Sequence, residues 1–281
     1  IVAGPMFFIA NPAQSFRVTV SPNPSVAGAL TTITVEAKDG PNGTGSRASS
    51  YAGQIRLIAE SGNGTVCNIE SLTQGPECMD DNGAPDTGHG LPQLYTFTTG
   101  AGADNGLHTF MNLLKLRRAG TRTIRVEQSN NSSLAGQTGA NSPVVTVNPG
   151  AAAQVQVIAD YVSDGTAGTG TGQNIGPGIT TVGNEGRIGT PRSRGAGDPV
   201  NFLLQMVDSH WNLVVSSAAS LLVTDTDHNN AFLSPDGIVV FVGSTTVQRT
   251  FVTGGNRTVS AVNQGLTPND SNPSAAVTIT G

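Results

Sequence analysis

Few residues in this chain are spaced for chemistry. The four histidines, His89, His108, His210 and His228, stand far apart, and no two have metal-ligand spacing. No G-x-S-x-G elbow occurs, and no Ser/His/Asp set stands out. A carboxylate pair for glycoside hydrolysis is spatial rather than sequential. Most acidic residues sit in plain turns, however, so the chain reads as no enzyme. Asp225-Thr-Asp-His-Asn-Asn230 is the best metal candidate. Asp225, Asp227 and Asn229 offer alternating oxygen ligands of the kind calcium takes. The loop lacks the EF-hand glycine at its sixth position and the glutamate at its twelfth. A turn stabilised by Asp and Asn side chains explains it equally well. Asp80, Asp81, Asn82 and Asp86 form a second acidic loop of the same kind. No other cofactor is expected.

The only cysteines, Cys67 and Cys78, share one short stretch, too few for a zinc site. A disulfide between them is expected, and would stabilise by roughly 2–3 kcal/mol if unstrained. Two free thiols are the alternative. Asn42, Asn63, Asn130, Asn131, Asn256 and Asn269 open N-x-[ST] sequons in turn-like contexts, candidate glycan sites if the protein is exported. The sole tryptophan, Trp211, could stack on a sugar or simply pack beside its turn.

The sharpest binding candidate has no polar chemistry. Residues 1–10 read Ile-Val-Ala-Gly-Pro-Met-Phe-Phe-Ile-Ala. They span about half of the roughly 20 residues a membrane helix needs, so no membrane span is expected. An extended apolar segment can instead add as a strand to a neighbour's open sheet edge. Ile1, Val2, Met6, Phe7, Phe8 and Ile9 are therefore expected to make assembly contacts, with Pro5 restricting the ladder.

The elements around these residues are strands. With 281 residues, about two domains are expected. Glycine is frequent, at 36 residues, and only 12% of residues are charged, about half the usual share. A net charge of −5 with no basic patch argues against nucleic acid. Phe16–Val20, Thr31–Lys38, Gln54–Ala59, Tyr95–Thr98, Leu107–Leu116, Thr121–Glu127 and Ser142–Val147 alternate or run apolar between Gly/Pro/Asn turns. Ile33, Val35 and Ala37 share one face, and Phe110 points inward. The plan repeats over Ala153–Ala159, Pro199–Val207, Leu221–Thr224, Gly237–Val242, Thr245–Phe251, Arg257–Val262 and Ala275–Thr280. The intervening residues 160–198 contain 11 glycines and few large apolar residues, and read as a long Gly-rich loop, either an ordered arm held by a neighbour or mobile. The expected organisation is an apolar extension over 1–14, one β-sandwich over 15–149 and a second over 150–281.

Val20-Ser-Pro-Asn-Pro-Ser-Val-Ala-Gly28, Thr31–Asp39, Gly106-Leu-His-Thr-Phe110 and Val145-Thr-Val-Asn-Pro-Gly-Ala151 carry a family texture. They resemble the tandem immunoglobulin-like repeats of very large secreted bacterial surface proteins. Val207-Asp-Ser-His-Trp-Asn212 and Thr224-Asp-Thr-Asp227 resemble a sister repeat. The resemblance implies all-β, immunoglobulin-like sandwiches that serve as spacers, adhesin stalks or surface fibres. The cysteine stretch, the 160–198 segment and the apolar extension depart from the pattern.

Together these features point to two tandem immunoglobulin-like β-sandwiches, with a long Gly-rich loop in the second, at the cell surface or outside it. The expected role is a structural subunit of a filament, sheath or adhesin. Its partners would be copies of itself or other surface proteins. The alternative is a carbohydrate-binding or accessory module of a larger secreted protein.

Overall fold

Over residues 16–20 and 33–37, apolar residues alternate with polar ones and face the same way. In the computed structural model, β1 (Ser15–Ser21) buries Phe16, Val18 and Val20. After β2 (Ser25–Val26), β3 (Leu30–Lys38) buries Ile33, Val35 and Ala37. The β1–β3 register sets Phe16 opposite Ala37, Val18 opposite Val35 and Val20 opposite Ile33. A period of two in both strands thus builds one continuous apolar face. The described residues are 12–61, 64–67, 95–128, 144–163, 170, 172–175, 186–227, 236–264 and 274–281. They divide into two units, 12–148 and 149–281.

The first unit continues through β4 (Gln54–Ser61), β5 (Gly64–Cys67), β6 (Tyr95–Thr96), β7 (Leu107–Lys115), β8 (Gly120–Gln128) and β9 (Val144–Asn148). One sheet has the order β1-β3-β7 and the other β2-β9-β8-β4-β5, with β6 rejoining β4. Ile55, Leu57, Ile124, Val126, Val145 and Val147 of the second sheet close onto the face of the first, with Phe97 and Phe110 between them. β2 runs parallel to β9, and the other pairs are antiparallel. This is the two-sheet plan of an immunoglobulin-like sandwich. Ala13 is buried in this core, and the Gln14 N–H donates to the Lys38 carbonyl.

The second unit repeats the topology. It begins with β10 (Gln154–Ala159), β11 (Gly172–Ile175), β12 (Arg187–Thr190), β13 (Arg194–Gly195) and β14 (Pro199–Val207). It ends with β15 (Ala218–Asp225), β16 (Gly237–Val242), β17 (Ser244–Thr250), β18 (Gly255–Arg257), β19 (Val259–Asn263) and β20 (Val277–Thr280). One sheet is β10-β14-β17. The facing strands follow the orders β13-β20-β18 and β16-β15-β19. Only Thr258 separates β18 from β19, so this face reproduces the order seen in the first unit. The core is Val155, Val157, Phe202, Leu204, Met206, Leu221, Val223, Phe251, Val259, Val277 and their neighbours.

The Gly-rich stretch 160–198, which the sequence left open as an ordered arm or a mobile loop, holds short strands. Described parts of that stretch form the antiparallel pair β11–β12 and the edge strand β13. These strands lack alternating apolar residues, so their periodicity was silent. The pair is tied to β10 instead. The Gln173 side chain accepts from the Ala159 N–H and donates to the Gly189 carbonyl, and Arg187 donates to the Val157 carbonyl. Ile158 and Leu203, which face each other on that back side, are buried although they lie outside the sandwich core. The β10–β14 ladder is therefore buried on both faces.

Candidate functional site

Most ionisable residues in the described chain belong to structural knots. Asp160 follows β10 in a left-handed conformation, φ +48°, and its side chain is 1% exposed. Its carboxylate accepts from the Arg192 N–H at 2.9 Å, from Arg192 Nε and Nη2 at 2.7 Å each, and from Arg194 Nη2 at 2.5 Å. Burial alone would raise its pKa. The two guanidinium groups and the backbone donor outweigh burial and lower it. A fork of donors on a buried carboxylate fixes geometry. Here it pins the exit of the β11–β12 pair to the end of β10.

Asp208 does the same at the turn after β14. It accepts from the N–H groups of Gly150, His210 and Asn212 and from the Asn212 side chain. The following Trp211, φ +63°, is half-buried and lies over Gly186. A Cβ on Gly186 would sit 2.6 Å from Gln156 Nε2 and closer still to the Trp211 side chain. Trp211, read as able to stack on a sugar or to pack beside its turn, packs one side on the β11–β12 region.

In the first unit, Asp104 gathers Tyr95, Thr98 and His108. It accepts from the Tyr95 hydroxyl at 2.8 Å and the Thr98 N–H at 2.8 Å, and pairs with His108 Nδ1 at 2.6 Å. Burial works to raise the Asp104 pKa, but these hydrogen bonds prevail and hold it at about 2. Burial first, and then the bond to and charge of Asp104, push Tyr95 up to about 12. Tyr95 stacks on His108 with ring centroids 3.9 Å apart. Burial also pushes Tyr51 up to about 12.

The calcium candidates separate in their surroundings. Asp227 is buried, and its carboxylate accepts from the Val252 and Thr253 N–H groups and the Thr253 hydroxyl. Asp225 accepts from the Asp227 N–H and lies 4.0 Å from Arg249 Nε. Asn229 lies outside the described residues. Among the described residues, no group of three or more His, Cys, Asp or Glu is placed to hold a metal. Among the sequons, Asn42 is exposed in a tight turn with φ +53°, and Asn256 is exposed on β18, where it accepts from the Thr278 hydroxyl. Asn63, Asn130, Asn131 and Asn269 lie outside the described residues. So do Ile1, Val2, Met6, Phe7, Phe8, Ile9 and Cys78, and the side chain of Cys67 in β5. No helix among the described residues is long and apolar enough to cross a membrane.

The surface that stands out is apolar. The outward side chains of β16 are Ile238, Val240 and Val242, exposed at 65%, 74% and 62%. In register beside them, β15 sets Leu222 opposite Ile238, and β19 sets Val262 opposite Leu222. Val215, 70% exposed, lies against Gly243 at the end of β16. Among the described residues β16 pairs with β15 alone, so it is a sheet edge. The sequence reading placed the β16 strand but missed its outward face. The signal was there, since Gly237-Ile-Val-Val-Phe-Val242 has no polar residue at alternate positions.

No family model matches the chain, and the comparison with curated proteins found no match. Among solved structures, the D0-D1 domain of intimin aligns at 14% identity, covering 96% of this chain and 99% of that one, with a TM-score of 0.29. FdeC, an Escherichia coli adhesin, aligns at 15% identity over 96% of this chain and 65% of its own, with a TM-score of 0.30. A glycosyl hydrolase family 2 member from Bacteroides cellulosilyticus aligns at 11% identity over 92% of this chain and 28% of its own, with a TM-score of 0.28. At such scores these likenesses decide nothing, and the fold rests on the strand order.

Proposed function

We propose that this chain is a structural, non-catalytic subunit of a cell-surface or extracellular assembly, a filament, sheath or adhesin. Its contacts run through the N-terminal segment and exposed sheet surface. The observation that carries this reading is the apolar face of β16. A soluble chain that worked alone would have reason to break such a strip with a charge. Burying an exposed Ile or Val side chain contributes about 1.5–3 kcal/mol. Three of them offset a useful part of the cost of association, which is roughly 4–15 kcal/mol. The uncharged residues 1–11 are a second such element. The two sandwiches act as carriers, with Asp104, Asp160, Asp208 and Asp227 committed to turns and strand ends.

Sedimentation velocity on the intact chain and on one lacking residues 1–11 tests this. Residues 12–14 stay, because Ala13 and Gln14 belong to the first sandwich. Concentration-dependent assembly in the intact chain, lost on truncation, supports the proposal. A monomer in both samples overturns it. Glycan binding by that monomer, abolished by Trp211→Ala, would establish the carbohydrate-binding alternative.

A further inference from the structure

An edge strand is a row of unpaired backbone donors and acceptors, and natural edges are guarded by Lys, Pro, bulges or inward charges. β16 has none of these guards. Its outward side is Ile238, Val240 and Val242. Its inward side is Phe241 and Val239, and Val239 is only partly buried against the core. The chain crosses at Gly243 to β17, the edge of the facing sheet, where Val247 is also only partly buried. A strand laid along β16 would meet apolar surface on both of its faces. One is the strip on the outside, and the other is the margin between β16 and β17.

The sequence holds one segment of that description outside the described residues. Pro5 and Pro12 bracket Met6-Phe-Phe-Ile-Ala-Asn11. That proline-free run of six residues can donate a full ladder, and β16 is itself 6 residues long. In an extended conformation Met6, Phe8 and Ala10 fall on one face, and Phe7 and Ile9 on the other. Apolar residues on both faces match an acceptor edge that is itself apolar on both faces. Neither segment carries a charge.

We infer that β16 is the acceptor edge for residues 6–11 of a second copy of this chain. The donated strand extends the sheet beyond β16 through backbone hydrogen bonds. One side of it covers Ile238, Val240 and Val242, and the other side covers the Val239–Val247 margin. This deepens the proposed function and rests on its claim that the N-terminal segment joins copies.

The test uses the intact chain with Phe8 replaced by the photo-crosslinker benzoylphenylalanine, mixed with isotopically heavy copies. After irradiation, crosslinked peptides are mapped by mass spectrometry. The expected product joins residue 8 of one copy to residues 237–242 of the other. Val240→Lys, at an exposed position, should reduce that product and weaken assembly by tenfold or more. Its Trp211 emission should stay native. Crosslinks confined to one copy, or mapping elsewhere, overturn the inference, as does assembly indifferent to Val240→Lys. Assembly that Val240→Lys abolishes but deletion of residues 1–11 spares would mean that β16 edges pair with each other, and also overturns it. In the first three cases the proposed function survives if the intact chain still assembles through residues 1–11. If the intact chain never assembles, both fall together.

Discussion

Asp160→Asn isolates the charge at the second-unit carboxylate that two guanidinium groups hold. Asn keeps the volume and tolerates the left-handed backbone at φ +48°. It loses the charge that holds two guanidinium groups and puts an amide N–H₂ among donors. Removing one partner of a buried ion pair costs about 3–5 kcal/mol. The side chains of Arg192 and Arg194 are 40% and 26% exposed and can rehydrate. The lower end, about 3 kcal/mol, is therefore expected. Trp211 is the only tryptophan, so its fluorescence follows the second unit alone. With a urea slope of about 2 kcal/mol per molar, the Trp211 midpoint should fall by about 1.5 M. A shift below about 0.3 M, equivalent to about 0.6 kcal/mol on the same slope, would refute the role given to this knot. The sign with pH is also set. The folded pKa of Asp160 is lowered, so its contribution is fully present above the unfolded value of about 4 and disappears as pH falls. The gap between wild type and Asp160→Asn should narrow below about pH 4. A gap that stays constant on acidification would mean the loss is steric.

Asp104 makes the matching prediction in the first unit. With a folded pKa of about 2, its contribution should fade as pH drops from about 4 toward 2, read by near-ultraviolet circular dichroism of the tyrosines. Tyr95 and Tyr51 should ionise only near pH 12, with stability declining as pH rises from about 10 toward that value. Asp104→Asn should lower one of these two phenol titrations and leave the other, followed by phenolate absorbance. Gly186→Ala should lower the Trp211 urea midpoint and shift its emission, because Gly186 has φ +68° and its missing Cβ faces Trp211. An unchanged emission spectrum would contradict the packing described.

The sandwich strands were legible because one face is wet. Phe16, Val18 and Val20, or Val277 and Ile279, alternate with polar residues and need no knowledge of the partner strand. The 160–198 stretch was not legible, because its strands are held by Asp160, Gln173 and Arg192, which meet from up to 32 residues apart. A cue lay elsewhere. Phe202-Leu-Leu-Gln-Met-Val207 runs apolar without alternation, and such a run needs cover on both faces. Part of that cover is the β11–β12 region, where Gly186 lies against Trp211 and the Gln156 side chain of β10. The Asp225–Asp227 motif read equally as turn or calcium loop. The folding of Asp227 onto the Val252 and Thr253 amides could not be read from either. On β16, Gly237-Ile-Val-Val-Phe-Val242 is apolar throughout, so its sequence does not mark which face is outward.

The central claim is that this chain joins copies of itself through its N-terminal segment. Negative-stain electron microscopy of the intact chain and of one lacking residues 1–11 tests it most directly. Filaments, sheets or other regular assemblies are expected in the first sample and dispersed single particles in the second. Dispersed single particles in both would contradict it, as would assemblies that persist without residues 1–11.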